Sequence, residues 1–159
     1  MEGQIAIESR DHAGTRVRVW LPSCESAQPE VSAPAKPRGR VLVVDDERAV
    51  AESLQHALRD EHDVDTAVSA QEARAAFARR GDYDVVLCDL AMPVESGAEL
   101  YAYTVTNHPE LAQRFVFMTG GAFTQKAADF LEANQRPHIE KPFALDRLRA
   151  LVEQFVERR

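Results

Sequence analysis

Four polar groups with chemistry of their own follow apolar runs in this chain. Asp45-Asp46-Glu47 comes after Val41–Val44, Asp89 after Val85–Cys88, Thr119 after Phe115–Met118, and Lys141-Pro142-Phe143 closes a short run at His138-Ile139. Singly, each has an ordinary explanation. An acid pair ahead of a helix caps it and meets its dipole, a threonine ends a strand, and a lysine is solvated. Together they call for another. Carboxylates sharing one pocket repel, by about 4 kcal/mol for a pair about 4 Å apart at an effective dielectric of about 20. A divalent cation with oxygen ligands removes that cost. Lys141 adds a positive point charge and Thr119 a neutral donor. Such parts suit a phosphoryl group with a carboxylate as covalent acceptor, because phosphoryl transfer needs mainly positioning and charge neutralisation.

The elements that must position these groups follow from the apolar pattern. Val41-Leu42-Val43-Val44 and Asp84-Val85-Val86-Leu87-Cys88 are continuous runs, as expected of strands covered on both faces. Val64–Val68, Phe115–Met118 and His138-Ile139 supply three more. Between them, Val50, Leu54, Ala57 and Leu58 share one helical face, and Ser69-x-x-Glu72 reads as a capping box for a second helix ending near Gly81. The stretch from Ala98 to about Asn107 alternates like a strand at Tyr101, Tyr103 and Val105, yet a crossover between parallel strands requires a helix there. Phe130 and Leu131 mark a fourth helix; Leu145, Leu148, Leu151, Val152 and Phe155 mark a fifth. Five β-α units in about 120 residues predict an α/β fold with an open, doubly wound, five-stranded parallel sheet. In such a sheet the working residues lie at the carboxyl ends of the strands, where Asp45, Asp46, Asp89, Thr119 and Lys141 all fall.

Residues 22–39 hold four of the eight prolines and no apolar period, so they read as a semi-rigid linker. Before it, Ile5–Ser9 and Arg16–Leu21 predict a β-hairpin over residues 1–21, which two strands alone cannot stabilise in water. The α/β unit over residues 40–159 follows. The net charge of −7 sits wholly in that unit, with 21 acids and 14 bases against five of each in residues 1–39. This excludes a general nucleic-acid binder, which needs a basic footprint. No apolar run reaches the roughly 18 residues of a membrane span, and Met1-Glu2-Gly3-Gln4 does not read as a signal peptide. Cys24 and Cys88 give neither a disulfide framework nor metal spacing. A cytoplasmic setting without direct membrane contact is expected, and a parent chain could still be membrane-anchored.

The motifs VLVVDDE (Val41–Glu47), Asp89-Leu90-Ala91-Met92-Pro93 followed by Gly97, Phe117-Met118-Thr119-Gly120 and Glu140-Lys141-Pro142-Phe143 stand in an order that resembles the receiver domain of two-component response regulators. The resemblance covers residues 40–159 and implies a flavodoxin-like sheet of strand order 2-1-3-4-5. It implies Asp89 as the phosphoacceptor, charged from a phosphohistidine. Asp46, Asp89 and the backbone carbonyl of Ala91 would bind Mg²⁺ directly, and Asp45 through water. Lys141 would pair with the phosphoryl oxygens and the Asp89 carboxylate. Thr119 would move to the phosphate, drawing the Gly120-Gly121 loop, and Lys141-Pro142 would be cis. The implied partners are the phosphohistidine domain of a histidine kinase, a histidine phosphotransfer protein, or a second copy in a homodimer. No DNA-binding module is expected after the last helix, leaving output by protein contact through the last helix, last strand and preceding helix. Two departures stand out. His138 occupies the position where the family often has Tyr or Phe, and Ala91 and Gly121 are small where larger side chains often tune phosphate lifetime.

Gly3–Pro22, with Gly14-Thr15 at its turn, resembles the last hairpin of a histidine-kinase ATP-binding domain, although His12-Ala13-Gly14-Thr15 lacks the first glycine of Gly-x-Gly-Thr. None of the five histidines stands in a phosphohistidine box, so the chain by itself is not expected to be a kinase. The combined reading is the receiver of a hybrid sensor histidine kinase. A free-standing regulator or a phosphorylation-independent interaction module is the binding-protein alternative. A haloacid-dehalogenase-like phosphatase is the enzyme alternative, and it would need an aspartate at Ala91.

Overall fold

The computed structural model describes residues 4–10, 14–20, 38–120 and 125–157. Most of the proline-rich segment, with Cys24, and residues 121–124, with Gly121, lie outside them. The chain divides into two compact units, Met1–Ala35 and Lys36–Arg159. In the first, β1 (Gln4–Arg10) and β2 (Gly14–Trp20) pair antiparallel, Gln4 registering with Trp20 and Arg10 with Gly14. The predicted hairpin is present.

The second unit runs β3 (Arg40–Val44), α1 (Arg48–Leu58), β4 (Asp63–Ala67), α2 (Ala70–Arg79), β5 (Val85–Asp89), α3 (Gly97–Asn107), α4 (Pro109–Ala112), β6 (Phe115–Gly120), α5 (Gln125–Asn134), β7 (His138–Lys141) and α6 (Leu145–Val156). Its sheet is all parallel in the order β4-β3-β5-β6-β7. Counted within this unit, that is the expected 2-1-3-4-5. The unbroken apolar strands follow from what covers them. Leu42, Val44, Val86, Cys88, Phe115 and Phe117 face a core shared with α2, α3 and α5. Val41, Val43, Val85, Leu87, Val116, Met118 and Ile139 face the other, closed by α1 and α6. Adjacent residues of one strand therefore serve opposite layers.

Helix boundaries differ from the sequence reading in instructive ways. α2 ends at Arg79, short of Gly81. Ser69 does cap it, accepting from the Glu72 amide, but the Glu72 carboxylate accepts from Val68 N rather than from Ser69 N. The reciprocal box lies instead at Ser96 and Glu99, at the start of α3. α3 is helical despite its alternation, because Gly97, Leu100, Tyr101 and Thr104 form its buried face. The four-residue α4 was not anticipated. In α6, Leu148, Val152 and Val156 are buried, whereas Leu145 is exposed. Among the described residues no helix is long and apolar enough to cross a membrane.

Where the chain enters this unit, Gly39 N donates to Nδ1 of buried His62 at 3.2 Å, and His62 Nε2 has no hydrogen-bond partner among the described residues. Burial lowers the pKa of this imidazole below its usual value, against the opposing pull of Glu61 and Glu153. The unfolded chain then binds more protons than the folded one. The His62 contribution to stability is complete above the ordinary value of about 6.5 and is lost as pH falls through the folded value. Urea midpoints between pH 8 and pH 5.5 should fall with acidification, and His62→Asn, which keeps an acceptor for Gly39 N, should flatten that fall.

Candidate phosphoacceptor and metal site

The carboxyl ends of β3, β5, β6 and β7 bring the expected residues together. Asp45, one residue past β3, is fully buried and fixed at three points. Its amide donates to Ala67 O at 3.1 Å, its Oδ1 accepts from Glu47 N at 3.0 Å, and its Oδ2 accepts from Lys141 Nζ at 2.7 Å. Asp89 ends β5, is 8% exposed, and lies 3.5 Å from the same ammonium through Oδ1. Asp46 completes a cluster in which one oxygen from each of Asp45, Asp46 and Asp89 lies within 4.8 Å of the others. Thr119, on β6, is buried, and its Oγ1 has no hydrogen-bond partner among the described residues. The Lys141–Pro142 bond is cis, as the resemblance implied.

The charges decide how these groups sit. Burial raises the Asp89 pKa from its ordinary value, and Lys141 and the Ala91 backbone N–H oppose the rise. Burial alone would lower the Lys141 pKa, but the hydrogen bond to Asp45 and the Asp89 charge outweigh it and hold the amine above its ordinary value. Lys141 is thus a bound cation, not a solvated amine. It is closer to Asp45 than to Asp89, whereas the resemblance emphasised Asp89. One ammonium for three carboxylates leaves the cluster net negative, which suits a hard divalent cation held by oxygen ligands. The orphaned Thr119 hydroxyl is a buried donor without an acceptor, a cost that an incoming anionic oxygen would remove. The residues present therefore fit both a divalent metal and a phosphoryl group.

The loop from β5 to α3 reaches the site under constraint. Leu90 N donates to Met118 O at 3.0 Å, and Gly97 N to Leu90 O at 3.2 Å. Between them, Glu95 N donates to Pro93 O at 2.7 Å across Val94, whose φ is 67°. This is a γ-turn of the strained, positive-φ kind, centred on a β-branched residue. Val94 is also fully exposed, so no packing offsets the strain. Val94→Gly should stabilise the domain by about 1 kcal/mol in urea unfolding, the left-handed penalty of 1–2 kcal/mol less glycine's entropic cost. Cys88, directly before Asp89, is fully buried, and burial pushes its thiol pKa well up, so it is no nucleophile here. His138 is exposed on the edge strand, in register with Phe117.

Sequence reasoning missed one feature of the site. Arg74 of α2 forms an ion pair with Glu95 of this loop, and its guanidinium lies 4.2 Å from the centre of the Tyr103 ring. These residues are far apart in sequence, and no local pattern points to their meeting. The Ser96-Glu99 box, by contrast, has the spacing that was read at Ser69.

The response regulator receiver domain profile matches residues 41–153. The chain is 32% identical over 113 residues to the alginate biosynthesis transcriptional regulatory protein AlgB of Pseudomonas aeruginosa, covering 70% of this chain and 24% of the relative. It is 33% identical over 123 residues to the transcriptional regulatory protein NatR of Bacillus subtilis, covering 76% and 51% respectively. The chain thus spans from about a quarter to a half of the length of these curated relatives. Among solved structures, a response regulator receiver domain protein from Clostridium thermocellum is 25% identical with a TM-score of 0.66, covering 76% of this chain and 95% of that one. NtrX from Brucella abortus, in complex with ADP, is 30% identical with a TM-score of 0.68, covering 77% and 28%. Motif order, strand order and the acidic pole agree over one continuous span, and the protein belongs to the response regulator receiver domain family.

Proposed function

We propose that this protein is the phosphoacceptor module of a two-component phosphorelay, with Asp89 as the residue that carries the phosphoryl group. Receiver domains take that group from histidine kinases or phosphotransfer proteins. The observation that carries the reading is the three-carboxylate cluster with Lys141 across it and the unpartnered Thr119 hydroxyl beside it. An Asp89 carboxylate oxygen attacks the phosphorus of a phosphohistidine. The O–P bond forms as the N–P bond breaks, and the released imidazole takes a proton. Asp46, Asp89 and the Ala91 backbone carbonyl would hold Mg²⁺, with Asp45 beside them in the cluster. When bound, the cation offsets the charge that builds on the phosphoryl oxygens. Lys141 pairs with those oxygens from the β7 side, and Thr119 donates its free hydroxyl to one of them.

Incubation with Mg²⁺ and acetyl phosphate, followed by intact mass measurement, tests this. The protein should gain one phosphoryl unit, and Asp89→Asn should gain none. A gain that persists in Asp89→Asn would reject the assignment. Ala91 stands where a dehalogenase-like phosphatase would carry its acid, so hydrolysis of a generic phosphate ester should be absent.

We further infer that residues 1–21 are the end of a kinase ATP-binding domain, 22–39 a linker, and 40–159 the receiver of a hybrid sensor histidine kinase. The antiparallel hairpin of β1 and β2 ahead of the receiver supports this over a free-standing regulator. The relatives named above are transcriptional regulators, which is the competing context. The native reading frame upstream of Met1 distinguishes the two: an ATP-binding pocket and a phosphohistidine helix there support the hybrid kinase.

A further inference from the structure

We propose that Arg74 is a positioning residue for the acidic site: seated on the Tyr103 ring and ion-paired to Glu95, it holds the 90–96 loop in place against Asp89. The inference rests on the metal reading given under Proposed function. Its observations are separate from that reading, because Arg74 lies on α2 and touches none of the three carboxylates of the cluster.

The loop needs an outside hold. Its ends are tied to Met118 and Leu90, but its middle is the strained turn at Val94, and such a turn persists only where its surroundings over-determine it. Glu95 follows that turn directly, and Arg74 grips Glu95. An ordinary surface ion pair would be a weak restraint, since ordering two long side chains offsets most of the attraction. Arg74 is less free. Its guanidinium lies 4.2 Å from the Tyr103 ring centre, an attractive cation–π arrangement, and its Nε is buried. A planar fork already stacked loses little further freedom on meeting a carboxylate. The clamp thus ties α2, α3 and the loop together.

What the loop carries makes its position matter. Ala91 donates its backbone N–H to the Asp89 carboxylate, and its carbonyl is the ligand assigned to Mg²⁺. A loop released at Glu95 shifts a donor to the acceptor carboxylate and a metal ligand together. Supports of this outer kind commonly change metal affinity without touching the ion.

The test is a Mg²⁺ titration of the full chain followed by amide NMR shifts, with no phosphoryl donor present. Thermal unfolding is measured in parallel. Arg74→Ala and Glu95→Gln should each weaken Mg²⁺ binding by about tenfold, the lower edge of outer-shell effects. Arg74→Lys, which keeps the charge but loses the stacked fork, should fall between. The double variant Arg74→Ala/Glu95→Gln should be no weaker than the worse single one, because both remove the same contact. A merely structural role would lower Tm and leave the Mg²⁺ affinity alone. If the parent binds Mg²⁺ and both single variants stay within about twofold of it, the inference is overturned and the metal reading stands. If the parent binds no Mg²⁺, the metal reading falls and takes the inference with it. Should Arg74→Ala not fold, Glu95→Gln, which keeps size and shape, decides alone.

Discussion

Gly97→Ala should cost about 4 kcal/mol or more, enough to remove much of the stability of an ordinary domain. A Cβ at this position would lie 2.2 Å from the Asp89 carbonyl oxygen, 3.1 Å from the Asp89 carbonyl carbon and 3.0 Å from Cys88 Sγ. Two of those three atoms are backbone in the buried strand β5 and cannot rotate away. α3 must retreat, which would open the core around Leu100, Tyr101 and Phe117, or β5 must move and carry Asp89 with it. Overpacking elsewhere in a core usually costs 1–3 kcal/mol because side chains yield; here they cannot. Gly120→Ala is the control. Among the described residues, the three atoms nearest its added Cβ all belong to the Lys141 side chain, the closest at 3.3 Å, so it should cost far less. Urea midpoints of the two variants check the contrast. A Gly97→Ala protein as stable as the parent would mean that the close approach of α3 to β5 is not obligatory.

Lys141→Ala should lower the rate of labelling by acetyl phosphate by about 10²–10³-fold, the range seen when one preorganised charge partner is removed from a reacting group. It should also destabilise the protein in Mg²⁺-free buffer by about 3 kcal/mol, the scale for stranding one member of a buried pair. The reason is at Asp45. That carboxylate is fully buried, and without the ammonium at 2.7 Å only Glu47 N, among the described residues, still donates to it. Asp89 loses its nearest cation at the same time. Added Mg²⁺ should return part of the lost stability, because a ligand that binds only the folded form shifts the equilibrium towards it. Initial rates by intact mass and urea unfolding with and without Mg²⁺ measure both effects. Labelling at the parental rate would remove Lys141 from the proposed transfer step.

The central fold was legible because the parallel sheet writes itself as unbroken apolar runs, and the acids and the lysine fall at the run ends. α3 was harder to read. Its buried face uses Gly97 and Thr104 alongside Leu100 and Tyr101, so half of the face is not apolar, while exposed Val105 added a false alternation. The requirement for a crossover decided correctly where local pattern did not. At the site, the membership of the cluster could be read from sequence but its pairing could not. Which carboxylate Lys141 prefers depends on the last fractions of an ångström in side-chain placement, and it is Asp45 that lies nearer. The Arg74–Glu95–Tyr103 contact had no sequence signal, because it joins three elements through side chains that would be ordinary on any exposed helix or loop.

The strand order has a consequence for synthesis. Once β3 has left the ribosome, β4 joins one side of it and β5 the other, then β6 and β7 extend the growing edge in turn. Each newly made strand meets a neighbour that already exists, which fits the amino-to-carboxyl direction in which nascent domains assemble. The ammonium of Lys141 arrives on the final strand. Until it docks, the acidic pole formed by the earlier strands lacks that cation, and the last step of building the sheet is also the step that brings it.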